Sequence, residues 1–136
     1  MTRITKSTFR DGVRELARRD PDMARLFKAA ALPDLRSRST GYGTIMKIIS
    51  GQQVSTAAAR AINGRMEAVA NPMTPEVFTK LSDNDLRAIG FSRQKMSYGR
   101  AIAAAVLAGE FSFRRVARME DEAAISEMIK LRGVGR

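Results

Sequence analysis

The sequence predicts an all-α protein, and two patterns carry that prediction. Apolar residues recur at helical spacing along almost the whole chain, whereas no segment alternates apolar and polar residues as a half-buried strand does. Serine, threonine or aspartate precedes many of these apolar stripes, and glycine or proline interrupts them. Together the patterns predict about eight or nine short helices with brief connections, the layout of an all-α domain.

The first two helices are predicted ahead of residue 32. Ser7 can cap the first helix, whose apolar face comprises Phe9, Val13 and Leu16. Asp20-Pro21 starts the second helix, because aspartate caps a helix and proline suits its first position. Apolar residues between positions 23 and 30 form its stripe. Residues 32–40 mix proline, serine and arginine, so they predict a loop, which is also the one candidate domain boundary.

The middle of the chain predicts two helices separated by a polar break. Gly51-Gln52-Gln53-Val54 interrupts a helix that starts near Tyr42 and contains Ile45, Ile48 and Ile49. Ser55 caps the next helix, whose inner face comprises Ala58, Ala59, Ile62, Met66 and Val69. Asn71-Pro72 ends that helix, because a proline disfavours the helical conformation of the residue before it.

Five more helical segments are predicted in the remainder of the chain, most of them short. Thr74-Pro75 starts one that ends near Leu81, and Ser82 caps one that stops at Gly90. Ser92 caps a longer helix that Gly109 ends. A helical turn near Phe113 follows, and a final helix runs from Glu120 to Lys130 with acidic residues that complement the dipole of its first turn.

Charge and composition bound the function. Lysine and arginine total 24 against 14 acidic residues, a formal net charge of +10 that is mostly arginine and spread along the chain. An excess of this size predicts a polyanion as partner, and the alternative is a basic surface that only confers solubility. The chain has no cysteine and no histidine, which excludes disulfides, thiolate metal sites and Ser-His catalysis within it.

Other classes are disfavoured by the apolar pattern. No apolar run approaches the length of about 18 residues that a transmembrane helix needs, so we expect no membrane partner. The N-terminus lacks the apolar core of a secretory signal. These absences fit an intracellular protein, and the location we expect is the bacterial cytoplasm, in association with the nucleoid.

The chain ends in a segment that is typical of a hairpin between two helices: Leu131-Arg132-Gly133-Val134-Gly135-Arg136. Two glycines around one apolar residue let the backbone turn tightly and leave its N–H groups open. A helix beginning at this point would complete an anion site for a DNA phosphate. The alternative is a glycine that caps a helix ahead of a flexible tail.

Several other side chains are candidates for binding. Gln52 and Gln53 lie at a helix break, where their amides could contact bases or satisfy the backbone of the turn. Arg93 and Lys95 lie in the first turn of an exposed helix and could reach phosphates. Tyr42 could belong to the core or line a pocket for a base.

Three segments, in this order, resemble the helix-hairpin-helix DNA base-excision glycosylases, nearest the 3-methyladenine glycosylase II branch. They are Ile48-Ile49-Ser50-Gly51-Gln52-Gln53-Val54-Ser55 with the alanines that follow, the stretch from Leu81 to Lys95, and the hairpin from Ile129 to Gly135. The resemblance runs from about residue 10 to the end. It implies cleavage of the N-glycosidic bond of an alkylated base after the base is flipped out of the duplex.

The resemblance also assigns roles. It implies that the glutamine turn faces the minor groove and that Gln53 fills the gap left by the flipped base, while Gln52 braces the turn. DNA contacts are then expected at Gln52, Gln53, Ser55, Arg93, Lys95, Arg132, Gly133, Val134, Gly135 and Arg136. Tyr42 would line the base pocket. The expected partner is double-stranded DNA that contains damaged bases, and no cofactor is expected.

The sequence departs from the family in one respect. The catalytic aspartate of the family lies beyond the second hairpin helix, so we expect it beyond Arg136 and expect no catalytic residue in this chain. Residues 1–40 would be the N-terminal helices of one lobe, and residues 41–136 a central lobe that is truncated within the hairpin. We then expect self-association or a second chain that supplies the missing helices. A metal at the hairpin stays open, and the alternative functions are a non-catalytic DNA-binding module or a plain helical interaction domain.

Overall fold

The computed structural model describes residues 4–30, 32–35 and 38–135, and within these ranges the chain is helical and contains no strand. The predicted all-α fold is therefore confirmed. In chain order the helices are α1 (Lys6–Arg19), α2 (Pro21–Ala29), α3 (Tyr42–Ser50), α4 (Thr56–Val69), α5 (Pro75–Lys80), α6 (Asp83–Ile89), α7 (Arg93–Leu107), α8 (Phe113–Val116) and α9 (Asp121–Met128). In the described part of the chain, no helix is both long and apolar enough to cross a membrane.

Side-chain caps begin most helices at the residues that the sequence predicts. Asp20 accepts hydrogen bonds from the N–H groups of the first turn of α2, and Pro21 occupies the first helical position. Ser55, Ser82 and Ser92 each accept from the N–H group three residues further on. Gly90 ends α6 with a φ of 111°, a left-handed conformation that glycine adopts at little cost.

Three local predictions are wrong. Thr5, not Ser7, caps α1, because Thr5 has an extended backbone and exchanges hydrogen bonds with Thr8, whereas Ser7 already lies within the helix. Val69 is the last residue of α4 and is 47% exposed, so it does not belong to the inner face of that helix. Helix α9 ends at Met128 rather than Lys130, because the chain then turns toward the hairpin.

The chain divides into two compact units, Met1–Arg38 and Ser39–Arg136. In the first unit α1 packs against α2, and Val13 is the buried hydrophobic residue of α1. Leu16 and Leu26 remain 49% and 57% exposed. Self-association, or cover by a second chain, stays a prediction for this unit.

The second unit has a core centred on Phe78 of α5. Its ring lies edge-on to the rings of Tyr42 and Phe91, with centroid distances of 5.8 and 5.7 Å. Edge-to-face pairs of this kind stabilise a core beyond the area they bury. Gly99 of α7 lies directly against the same ring, so the α7 backbone can approach α5 more closely than any larger residue would allow.

In the second unit, arginine side chains donate hydrogen bonds to backbone carbonyl oxygens at the ends of other elements. Arg65 of α4 donates from Nε to the carbonyl oxygen of Ile89 at 2.8 Å, which satisfies the C-terminal end of α6. Arg100 of α7 donates to the carbonyl oxygen of Leu81 at 3.1 Å, just after α5. Arg115 donates to the carbonyl oxygen of Glu110 at 3.1 Å. Part of the arginine excess therefore stabilises helix ends, whose carbonyls lack partners within their own helices.

We expect Gly99→Ala to destabilise the second unit. An added Cβ would lie 2.5 Å from Cζ of Phe78 and 2.8 Å from Cε of Met46, and both side chains are fully buried. Overpacking costs about 1–3 kcal/mol, whereas alanine gains about 1 kcal/mol over glycine in a helix. The clash should prevail, with a net loss of up to about 2 kcal/mol in the free energy of unfolding measured with urea.

Gly64→Ala is the matched control, since Gly64 also lies within a helix but its added Cβ would meet nothing within 4 Å. This variant should gain up to about 1 kcal/mol. If Gly99→Ala were as stable as Gly64→Ala, the close approach of α7 to Phe78 would not constrain the fold.

Candidate nucleic-acid interface

The predicted glutamine turn is an exposed connection between α3 and α4. Helix α3 ends at Ser50, and Gly51 donates its N–H to the carbonyl oxygens of Lys47 and Ile48 at 3.3 and 3.2 Å. Ser55 then caps α4 through the N–H of Ala58. Gln52, Gln53, Val54 and Ser55 are all exposed. The turn is therefore a short exposed segment between two helices whose facing ends are both capped by hydrogen bonds.

Gln53 has a φ of +56°, the one non-glycine residue with positive φ in the described part of the chain. This left-handed conformation costs a residue with a Cβ about 1–3 kcal/mol, so the surrounding structure must maintain it. Among the described residues, neither the Gln52 nor the Gln53 side-chain amide makes a hydrogen bond. The sequence left two interpretations open, contact with a ligand or support of the turn. The amides do not hold the turn and are therefore free to contact a ligand.

The turn is held from two other helices. Ser50 is fully buried, and its hydroxyl oxygen lies 2.9 Å from both Lys47 O and Asn63 Oδ1 of α4, so its single proton is shared between these two acceptors. Lys95 of α7 donates from Nζ to Ser50 O at 2.8 Å and to Gln52 O at 2.9 Å. The brace expected from the Gln52 side chain is therefore supplied by the Lys95 ammonium, which contacts the Gln52 carbonyl.

The hairpin has the tight glycine turn that its sequence predicts. Leu131 is buried, and its carbonyl oxygen accepts the Val134 N–H at 3.1 Å. Gly133 has a φ of +90°, and a Cβ there would lie 2.3 Å from the ring of Tyr98. The N–H groups of Arg132, Gly133 and Gly135 donate to no acceptor among the described residues. Open backbone N–H groups in such a turn suit an anion, and Arg136 lies outside the described residues.

The first two turns of α7 bring the two predicted DNA-contacting segments together. Lys95 holds the glutamine turn, and Tyr98, three residues further along the same helix, packs beneath Gly133 of the hairpin. Gln94 donates to the Tyr98 hydroxyl at 2.6 Å and so restrains that ring. Because residues three apart are neighbours on a helix surface, both segments lie beside one face of α7.

Cations around this face differ in availability. Arg93 and Arg132 are exposed, and neither makes a hydrogen bond or ion pair within the ranges that the structure describes. Lys130, by contrast, pairs with Glu127, and the pKa of that carboxyl is held below its usual range by Lys130 and Arg115. Arg93 and Arg132 therefore have guanidinium groups free to meet phosphates, whereas Lys95 and Lys130 are already engaged. DNA contact by Lys95 stays a prediction.

Tyr42 lies in the core, one of the two positions that the sequence left open. Its ring is 5% exposed, and its hydroxyl donates to Gly99 O at 2.9 Å. Burial raises the pKa of this phenol well above its ordinary value. Tyr42 also borders a cleft of about 270 Å³ beside Lys47, Asn71 and Met73. Its role in a base pocket stays a prediction.

The described residues contain no group of three acidic, cysteine or histidine side chains that could hold a metal ion. The backbone at the hairpin is therefore the one part of the predicted site for which the metal question stays open.

Comparison with known proteins places the chain among DNA repair proteins. Residues 46–135 match the family described as HhH-GPD superfamily base excision DNA repair protein. DNA-3-methyladenine glycosylase 1 of Schizosaccharomyces pombe is 29% identical over 99 residues, which make up 70% of this chain and 43% of that protein.

Two solved structures resemble the fold. The S. pombe 3-methyladenine DNA glycosylase in complex with abasic DNA has a TM-score of 0.81 and 27% identity over 93% of this chain and 65% of that one. A DNA-3-methyladenine glycosidase of Bacillus halodurans has a TM-score of 0.72 and 26% identity over 88% of this chain and 56% of that one. The chain thus spans about half the length of its relatives, from 43% to 65%.

We expect Gly133→Ala to disrupt the hairpin. The added methyl group would meet the Tyr98 ring, and alanine is strained at a φ of +90°. The free energy of unfolding should fall by about 1–3 kcal/mol, measured by urea denaturation. Gly135→Ala is the control, because its Cβ would meet nothing within 4 Å and its φ is not positive. Equal losses in the two variants would contradict the packing of Tyr98 beneath Gly133.

Proposed function

Because the chain belongs to the HhH-GPD superfamily of base excision DNA repair proteins, we propose that it acts in base excision repair as a DNA glycosylase for alkylated bases of the 3-methyladenine type. Its relatives of that name support the substrate class. The reaction is hydrolysis: water adds to the sugar carbon as the N-glycosidic bond breaks, the base leaves with the bonding electrons, and the proton that the water loses passes to the carboxylate or to solvent. Double-stranded DNA that contains a damaged base is the substrate.

One observation carries this proposal, namely the joint support of the glutamine turn and the hairpin by α7. The hairpin offers open N–H groups to a phosphate, and the turn offers an exposed glutamine with a free amide. A phosphate contact positions the duplex but reads no sequence. A side chain at a fixed distance from that contact can enter the stack, which is what extrusion of a base requires.

Hydrolysis of this bond requires the protein mainly to position the substrate and to stabilise charge. An alkylated purine carries positive charge on its ring and is a good leaving group, so the protein mainly has to expose the bond and stabilise a cationic sugar. A carboxylate supplies that stabilisation, either directly or by activating water. In the described part of the chain, several carboxylates already serve helix caps or ion pairs, including Asp85, Asp83 and Glu127. We propose that the reacting aspartate is the one that the family resemblance assigns beyond Arg136.

Binding to an abasic duplex tests the proposal directly. We expect this chain to bind a duplex that contains an abasic-site analogue more tightly than the same duplex undamaged, because the gap admits the Gln53 side chain without unstacking a base. Gln53→Ala should remove that preference while leaving affinity for the undamaged duplex unchanged. Fluorescence anisotropy on both duplexes measures the ratio.

Two results would contradict parts of this proposal. Equal affinity of the unaltered chain for both duplexes would contradict the proposed extrusion of a base. Release of 3-methyladenine from alkylated DNA by this chain alone would place the reacting carboxylate within residues 1–136 and contradict its assignment beyond them.

Salt dependence tests the cationic part of the interface. We expect affinity to fall steeply with salt, with a log–log slope of about −0.9 for each phosphate contact. Arg93→Ala and Arg132→Ala should each reduce that slope by about one. Arg87→Ala is the matched control, because it removes the same charge from a guanidinium that Asn84 and Asp83 already hold on its own helix. A slope that falls equally in all three variants would indicate general electrostatics and no defined contacts.

A further inference from the structure

We propose that Lys95 is a positioning residue whose ammonium maintains the left-handed turn at Gln53 and thereby aims the Gln53 side chain. This role rests on the proposed function of that turn. It differs from the phosphate contact that the sequence predicts for Lys95, since it directs the charge to the protein backbone and not to DNA.

The geometry of the ammonium supports this role. Lys95 Nζ lies 2.8 Å from Ser50 O and 2.9 Å from Gln52 O, on either side of Gly51. Ser50 is the last residue of α3, where carbonyl oxygens lack helical partners and the helix dipole favours a cation. Two charge-assisted hydrogen bonds from one nitrogen fix the distance between these carbonyls. The chain between them must then bend tightly, and the next residue is Gln53 in its left-handed conformation.

Nothing within the turn itself can do this work. The side chains of Gln52 and Gln53 are exposed and form no hydrogen bond within the described ranges. The backbone bonds of Gly51 and Gln52 end α3 and do not reach Gln53. Asn63 secures the Ser50 hydroxyl but not the carbonyl oxygens. Among the described residues, the Lys95 ammonium is therefore the side chain that hydrogen-bonds the Gln52 backbone and ties it to α7.

The position of Lys95 also links the turn to the hairpin. Tyr98 supports Gly133 from the same side of α7, so the spacing between the Gln53 side chain and the open hairpin amides depends on one short helical segment. A rotation of α7 would move both together. Loss of the Lys95 contacts would release the turn alone and leave the hairpin in place.

The first test distinguishes a Lys95 that positions the Gln53 side chain from a Lys95 that contacts a phosphate. Lys95→Met keeps the length and apolar stem of the side chain but removes both hydrogen bonds. We expect its preference for abasic over undamaged duplex to fall to the level of Gln53→Ala, and the double variant Gln53→Ala/Lys95→Met to lose no further preference. Lys95→Gln, which has a polar tip without the charge or the reach, is measured beside it and should show the same loss.

A second measurement does not depend on DNA. Hydrogen exchange of the Gly51 and Gln52 amides, which donate to carbonyl oxygens of α3, should accelerate in Lys95→Met, while the Val134 amide of the hairpin exchanges as before. Lys80→Met is the matched control: Lys80 is an exposed lysine of α5 that makes no hydrogen bond in the described part of the chain, and its loss removes the same charge. It should change neither exchange nor preference.

The outcomes are distinct. If Lys95→Met weakens binding to both duplexes equally and leaves the preference and the turn amides unchanged, Lys95 is a phosphate contact and the proposal is overturned. If the unaltered chain shows no preference for the abasic duplex, the proposed function fails. The exchange measurement still decides in that case whether Lys95 holds the turn, and unchanged exchange would overturn that role as well.

Discussion

The close approach of α7 to the ring of Phe78 is the contact on which the rest of the second unit depends. Gly99 permits it, because any side chain at that position would overlap the ring. With α7 seated there, the Tyr42 hydroxyl reaches Gly99 O, and Arg100 reaches the carbonyl oxygen of Leu81 beyond α5. The inner face of one helix thus organises the core, and Lys95 and Tyr98 near its N-terminal end contact the two segments of the candidate interface.

The cations of the chain divide into two functional groups, which the net charge alone does not distinguish. Arg65, Lys95, Arg100 and Arg115 donate to backbone carbonyl oxygens at or near helix ends. Each such contact satisfies a group that would otherwise lose hydrogen bonds on burial. Arg93 and Arg132 have no such duty in the described part of the chain. A basic sequence can therefore overstate the charge that is available to a polyanion, since structural cations are already committed.

Local features of the fold could be predicted from the sequence because their causes are local. Caps at Asp20, Ser55, Ser82 and Ser92 depend on residues within one turn, and the predicted helices formed accordingly. The cap of α1 was missed because Thr5 and Ser7 are both able to cap, and only the backbone distinguishes them. The exposure of Val69 was missed because helical spacing does not reveal where a helix leaves the core.

The candidate site was predictable as a set of segments but not as an arrangement. The glutamines and the hairpin glycines are visible as motifs. The contacts of Lys95 with Ser50 and Gln52 span 45 and 43 residues of sequence, so no local pattern reveals them. The left-handed conformation of Gln53 was equally hidden, because glutamine has no preference for it. Arg132 and Arg93 were recognisable as cations, but their freedom from ion pairs is a tertiary property.

The glutamine turn and the hairpin form one surface beside the first two turns of α7. The most direct measurement is a titration of the isotope-labelled chain with an abasic duplex, followed by the chemical shifts of its backbone amides. We predict that the amides of residues 51–55 and 132–135 shift together with those at the start of α7. Their shifts should follow one binding curve as the DNA concentration rises. Shifts confined to one of the two segments, or concentrated on α5 and α6, would contradict the claim.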